Sequence, residues 1–369
     1  MKVLMFATDR NIFKEGSEVR RRMIDYGKLV EEIHAVVFSR RSDNLAPLAV
    51  AENVRAYPTN SLSRWCYLFD AYRAAKKIIA EAPGRRLISC QDPFETGLAG
   101  YWLKRKFGLP LQLQIHTDFL SPHFARESTL NKIRVLIAKF LLPKADCVRV
   151  VSERIKNSLV AAGFSDRNVF ILPIFTDEER INAPPKFNLR RKYPRFRRII
   201  LAVSRLSKEK NVGLAIAVME EVAKRRAGVG FIVVGDGPEL GFLKSRVEER
   251  ELGESVVFEG RQEDLSSYYH GADVFLHTAN YEGYGLVLAE AALAGRPIVT
   301  TDVGIASELR RKGADVFICP AGDVQCLTGG VLKALEAEPD VSLSRVTMAD
   351  KKDCLAKMKE SWQKCLSRG

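Results

Sequence analysis

Arg205 and Lys210 stand five residues apart, just after an apolar run that ends at Val203. Glu282 and Glu290 stand eight apart around a glycine-rich turn, Glu282-Gly283-Tyr284-Gly285-Leu286. Two fixed cations can neutralise a diphosphate and stabilise the charge that develops when it leaves. Two carboxylates beside such a group are electrostatically wrong unless they bind hydroxyls. A carboxylate accepts paired hydrogen bonds from neighbouring sugar hydroxyls, so the four residues together point to a nucleotide sugar. Gly283 and Gly285 let backbone N–H groups approach a ligand, and a helix start favours an anion. Either pair alone would pass for ordinary helix and loop charges. No D-x-D motif occurs in the chain, which argues against a carboxylate-held metal. Arginine and lysine would then do the electrostatic work that a metal does elsewhere.

These residues need a scaffold that aims them at one place. Short β-branched runs alternate with amphipathic stretches along nearly the whole chain. The runs are 3–7, 33–38, 86–90, 111–116, 147–151 and 169–172, then 199–204, 230–234, 256–259, 274–277, 297–300 and 316–319. Between the early runs lie helical patterns at 18–30, 65–80, 95–107 and 130–141. Strands separated by helices of this length imply parallel sheets covered on both faces. The alternation breaks at 176–198, a segment with Pro184, Pro185, Pro194 and a basic run from Arg190 to Arg198, which reads as a solvated linker. The expectation is two Rossmann-like doubly wound domains, 1–175 and 199–348, facing across a cleft where the carboxyl ends of both sheets bind ligand. A final helix at 349–369, with Leu355, Met358, Trp362 and Leu366 on one stripe, is expected to pack back on the first domain. Neither first strand is followed by G-x-G-x-x-G, and no P-loop is present, which disfavours a nicotinamide, flavin or P-loop enzyme.

The 369 residues carry a net charge of +13, with 46% hydrophobic and 28% charged side chains. That is ordinary globular composition with a basic surface. No apolar run is long enough to span a bilayer and the opening strand is too short for a signal peptide, so the cytoplasm is expected. The seven cysteines, at 66, 90, 147, 319, 326, 354 and 365, form no C-x-x-C pair and are expected to be free thiols. A nucleic-acid-binding role would need aromatics interleaved with the basic stretches or a known reading module; neither is found.

The second half resembles the donor-binding domain of retaining glycosyltransferases of family 4, the group 1 type with the GT-B fold. The matching pieces are Arg205-Leu206, Lys210-Asn211, Val233-Val234-Gly235-Asp236-Gly237-Pro238, Val257-Phe258-Glu259-Gly260, Ala272-Asp273-Val274-Phe275-Leu276 and the stretch 282–297. They cover 199 to about 323, with weaker agreement over the first domain. The resemblance implies that Arg205 and Lys210 hold the donor diphosphate, Glu282 the transferred sugar and Glu290 the ribose. It implies backbone contacts from Tyr284, Gly285 and Leu286, a loop shaped by Gly235 and Gly237, and Arg261 near the base. In the first domain, Gly16 matches a glycine-bearing loop that closes over the diphosphate, here with one glycine where two are common. His116 matches a histidine near the reacting carbon, and Asp118 is a weaker candidate for acceptor contact. At Gly304-Ile305-Ala306-Ser307-Glu308 the family often has a second glycine and a proline.

The reaction so implied is metal-independent and retaining. It moves a hexose-type sugar from a UDP- or GDP-sugar to a hydroxyl of a glycan or lipid-linked acceptor, by front-face substitution. The nucleotide sugar is a substrate and no cofactor is implied. A sugar-nucleotide hydrolase or epimerase on the same fold is the nearest alternative. Arg20-Arg21-Arg22, Lys76-Lys77, and Arg126, Lys132, Arg134, Lys139 and Lys144 around an Ile/Leu-rich helix suggest an anionic membrane surface as a partner. A solvated face of a basic protein fits them equally well.

Overall fold

In the computed structural model, which describes residues 1–81, 84–336 and 346–368, the β-branched runs form two separate sheets. The first contains β1 (Lys2–Ala7), β2 (Glu32–Val37), β3 (Leu48–Ala51), β4 (Val54–Pro58), β5 (Arg86–Cys90), β6 (Leu111–Ile115), β7 (Cys147–Val150) and β8 (Val169–Ile171). Its order is β3-β4-β2-β1-β5-β6-β7-β8, parallel except for the β3–β4 hairpin. The second contains β9 (Arg198–Val203), β10 (Val229–Val234), β11 (Val256–Gly260), β12 (Val274–His277), β13 (Ile298–Thr301) and β14 (Val316–Cys319). Its order is β11-β10-β9-β12-β13-β14. The expected strands are all present to within a residue or so. The hairpin β3–β4 was not expected: Leu48–Ala51 is half alanine, and four residues give little periodicity to read.

Each sheet belongs to its own α/β unit, Met1–Pro173 with Lys351–Gly369 and Ile174–Asp350. In the first, glycines bring the helix Glu95–Phe107 close to the sheet: a Cβ on Gly100 would meet Cys90 Sγ at 2.4 Å. The opposite face, beneath β5, β6 and β7, is covered by the helix Lys351–Leu366, with Met358, Trp362 and Cys365 fully buried. In the second unit, Ala215, Ile216, Val218, Met219 and Val222 of the helix Val212–Arg225 pack on Ile200, Phe231, Val233 and Val274.

Residues 176–198, expected as a solvated linker, lie inside the second unit. Arg190, Arg198 and Lys192 are spent on carboxylates of the same unit. Arg190 and Arg198 donate to Asp273 Oδ1 at 2.7 and 2.9 Å, and Lys192 donates to Glu259 Oε1 at 2.6 Å. The sequence could not show this, because each partner lies at least 67 residues away.

The cysteine expectation is also corrected. Cys147 is bonded to Cys365, and Cys319 to Cys326, with Cα atoms 5.5 and 5.8 Å apart. Cys66 and Cys90 are free. The first pair is separated by 218 residues and meets only because the C-terminal helix docks on β7, which no spacing rule reveals.

Candidate active site

In the second sheet β9 and β12 are neighbours, and the strand order reverses between them. Such a switch point opens a crevice at the carboxyl ends of the strands. Arg205 lies two residues beyond β9, and its exposed side chain has no hydrogen-bond or ion-pair partner among the described residues. Its loop is set by the one after β10. A Cβ on Gly235 would come 1.8 Å from Ser204 O, and one on Gly237 2.3 Å from Leu206 O. Leu206 N donates to Asp236 O at 3.0 Å across this contact. The role of these two glycines is therefore close backbone packing that positions the Arg205 loop. Arg261, just after β11, is exposed.

Lys210 is delivered to Glu282 by a weld between the loops after β9 and β12. Asn280 N donates to Glu209 O at 2.8 Å, Asn211 Nδ2 to Asn280 Oδ1 at 3.0 Å, and Thr278 Oγ1 to Asn211 O at 3.0 Å. Lys210 Nζ then donates directly to Glu282 Oε1, and His277 Nε2 lies 3.4 Å from the same oxygen. Burial works to raise the Glu282 carboxyl, but His277 and Lys210 outweigh it and hold it at about 2. His277 was not singled out from the sequence. A histidine ending a central strand beside the switch point was the available signal.

Gly285 sits at φ 81° and caps the helix Leu286–Leu293. Tyr284 is buried, and its carbonyl accepts from Ile305 N at 2.9 Å. Gly304 allows this approach, since a Cβ there would meet Tyr284 O at 2.2 Å. Leu286 is partly exposed. Glu290, one turn into the helix, is 3% exposed and accepts from Arg180 Nη2 at 2.6 Å and Tyr269 Oη at 2.8 Å. Arg180 comes from the segment expected to be linker. The structure thus joins Lys210 to Glu282 and gives Glu290 separate partners.

In the first unit Gly16 occupies an exposed turn at φ 71°, one residue before Ser17 caps the helix Glu18–Gly27. His116 follows β6, and its Nε2 lies 3.1 Å from Gln114 Oε1. Burial, with Arg149 and Arg22, pushes its pKa down to about 3, so the ring is neutral at pH 7. Burial raises the nearby Asp118 carboxyl. Asp92, two residues past β5, was also missed. Burial and Glu95 raise its carboxyl to about 6, although Oδ1 accepts from Phe94 N at 2.8 Å and Thr96 N at 3.3 Å. Because the folded state holds this proton more tightly than the unfolded chain, stability falls as pH rises from about 4 through 6. Asp92→Asn keeps the accepting oxygen and removes the charge. Denaturant melts at pH 4.5 and 7.5 should show the variant gaining about 1–3 kcal/mol over the parent only at the higher pH.

The second unit therefore presents two cations, two carboxylates and a helix start beyond the carboxyl ends of its strands. These can bind a polyanion and polar hydroxyls together. Among the described residues no group of three or more His, Cys, Asp or Glu is arranged to hold a metal ion.

Residues 186–351 match the family model "Glycosyl transferases group 1", and residues 28–180 match "Glycosyltransferase Family 4". The chain is 28% identical over 295 residues to the alpha-monoglucosyldiacylglycerol synthase of Streptococcus pneumoniae, covering 74% of this chain and 64% of that one. It is 27% identical over 252 residues to the 2-deoxystreptamine glucosyltransferase of Streptomyces kanamyceticus, covering 65% of each. The matches thus span just under two thirds of both relatives. Among solved structures, Anabaena Alr3699/HepE in complex with UDP and glucose superposes with a TM-score of 0.74 at 20% identity, over 98% of this chain and 99% of that one. Sucrose-phosphate synthase from Thermosynechococcus elongatus gives 0.73 at 19% identity, over 98% and 94%. The fold is GT-B, and each half of the chain matches a glycosyltransferase family model.

Proposed function

We propose that this chain is a retaining glycosyltransferase of the family 4 type, moving a hexose-type sugar from a UDP- or GDP-sugar to a hydroxyl of a glycan or lipid-linked acceptor. The observation that carries this reading is the pairing of Lys210 with Glu282 at the β9/β12 switch point, 72 residues apart in sequence. The names of the relatives support it, since one is a glucosyltransferase and the other a monoglucosyldiacylglycerol synthase by name.

In the proposed step the bond between the anomeric carbon and the diphosphate oxygen breaks, and a glycosidic bond forms to the acceptor oxygen on the same face. The acceptor proton passes to the departing diphosphate. Arg205 and Lys210 stabilise the charge on that leaving group, and catalysis is chiefly positioning and electrostatics. Glu282 holds sugar hydroxyls and Glu290 the ribose. A panel of UDP-, GDP- and ADP-sugars, assayed for binding and for released nucleotide with and without acceptors, tests the reading. Release of free sugar alone would favour a hydrolase, and no turnover of any donor would sink the transferase.

The acceptor side is proposed to work at the cytoplasmic face of an anionic membrane. The helices Tyr67–Glu81, Glu95–Phe107 and Thr129–Leu141 lie side by side and expose Phe69, Leu136 and Phe140, with Trp65 at 86% exposure just before the first. Lys132 and Lys139 are exposed beside them, and Lys144 sits 3.8 Å over the Phe140 ring. Arg134 is spent on Glu95 at 2.9 Å and drops out of the basic set. Aromatics and lysines mixed this way suit a headgroup layer. The full chain is expected to sediment with phosphatidylglycerol vesicles at low salt, and Trp65→Ser with Leu136→Asp to weaken this at least tenfold. Absence of binding by the parent would remove the membrane from the proposal.

A further inference from the structure

Strand parity puts Gln112 and Gln114 of β6 on one face of the first sheet. Ser89 of β5 stands in register with Gln112, and Arg149 of β7 with Gln114. The helix Lys351–Leu366 covers this face and brings Ser361 and Trp362 onto Gln112. All six side chains are buried, where polar groups must be paired. Donor-only groups at both ends then fix every proton between them.

Trp362 Nε1 can only donate, and it donates to Gln112 Oε1 at 3.1 Å. That orientation turns Gln112 Nε2 toward Ser361 Oγ at 3.3 Å. Ser89 gives its one hydroxyl proton to Gln112 Oε1 at 3.0 Å, so its oxygen is left to accept from Gln114 Nε2 at 2.9 Å. Gln114 Oε1 must therefore face the other way. There Arg149 Nη1, also donor-only, reaches it at 2.8 Å. His116 Nε2 meets the same oxygen at 3.1 Å, and an amide oxygen can only accept. The imidazole proton is thus on Nε2, and Nδ1 keeps its lone pair.

We infer that Gln114, clamped between Ser89 and Arg149, is a positioning residue that locks His116 as the Nε2–H tautomer and makes Nδ1 a hydrogen-bond acceptor for a substrate hydroxyl. An imidazole so held repels a phosphate oxygen and welcomes an O–H, which assigns His116 to the sugar or acceptor rather than to the diphosphate. The C-terminal helix is part of this device, since Trp362 sets the direction of the chain from the far side of β6. Burial with Arg149 of β7 and Arg22 of the helix Glu18–Gly27 also disfavours the imidazolium, which would have no acceptor-type nitrogen left. The substrate assignment rests on the glycosyltransferase reading; the tautomer does not.

Long-range 15N–1H spectra of the full chain, with the His116 signals identified by His116→Asn, read the tautomer directly. The expected result is a protonated Nε2 and a bare Nδ1 across pH 5–8. Gln114→Met should produce a mixture of tautomers and lower turnover at least tenfold, with UDP and GDP affinity unchanged. If that variant does not fold, Gln114→Glu keeps the accepting oxygen and adds a charge, and should raise the His116 titration midpoint by a unit or more. A protonated Nδ1 in the parent would overturn the inference. So would an unmoved tautomer in Gln114→Met or an unmoved midpoint in Gln114→Glu. A correct tautomer in a chain that turns over no nucleotide sugar would sink the proposed function alone.

Discussion

Replacing Lys210 by methionine is expected to lower kcat/KM by about two to three orders of magnitude, the loss typical of removing one preorganised donor from a developing negative charge. The same change should destabilise the fold, because Glu282 is only 13% exposed and would keep a charge facing His277 alone. Breaking one partner of a buried pair costs about 3 kcal/mol or more. The two effects separate in a double variant. Lys210→Met with Glu282→Gln removes both charges and should recover most of the stability while remaining inactive. The pH dependence carries a sign as well. Glu282 is held at about 2, below its ordinary value of 4.5, so its contribution is present above about 4.5 and is lost as pH falls toward 2. Without Lys210 the carboxyl rises, and acid unfolding should begin at a higher pH. Near-normal kinetics in a folded Lys210→Met protein would refute its role at the diphosphate.

Glu290→Gln is expected to reduce transfer at least tenfold and to weaken binding of the free nucleoside diphosphate in parallel. Glutamine preserves the shape and can still accept from Tyr269, so the helix Leu286–Leu293 should persist. What disappears is the charge, which a ribose hydroxyl would otherwise meet as a strong acceptor. Arg180, with 42% of its side chain exposed, can be rehydrated when its partner is neutralised, so melting should change little. Calorimetric titration with UDP and GDP, alongside turnover, checks both halves. Arg205→Ala should show a comparable fall in transfer through the leaving group. Unchanged kinetics in both variants would dismiss the site.

The residues proposed for the donor side could be picked out because they are concentrated in short segments. Gly283, Gly285, Glu282 and Glu290 lie within nine residues, and Arg205 and Lys210 within six, so local spacing could carry the reading. Gly235 and Gly237, expected to shape a loop, are packed against the backbone of Ser204 and Leu206. His277 entered only when β12 came to lie against β9.

The alternation of strand and helix patterns, the break before the second series and the donor-side residue types are properties of local sequence, set by side-chain periodicity and turn chemistry. Long-range pairing is not local. Arg190 and Arg198 on Asp273, Arg180 on Glu290, Cys147 on Cys365 and Trp362 on Gln112 join residues 75 to 250 positions apart, and packing alone selects each partner. The sequence by itself therefore determined which groups can do chemistry. Only the tertiary structure decided which of them are already neutralised, which are exposed, and which proton His116 carries, because charge and hydrogen bonding depend on neighbours brought together across the sheets.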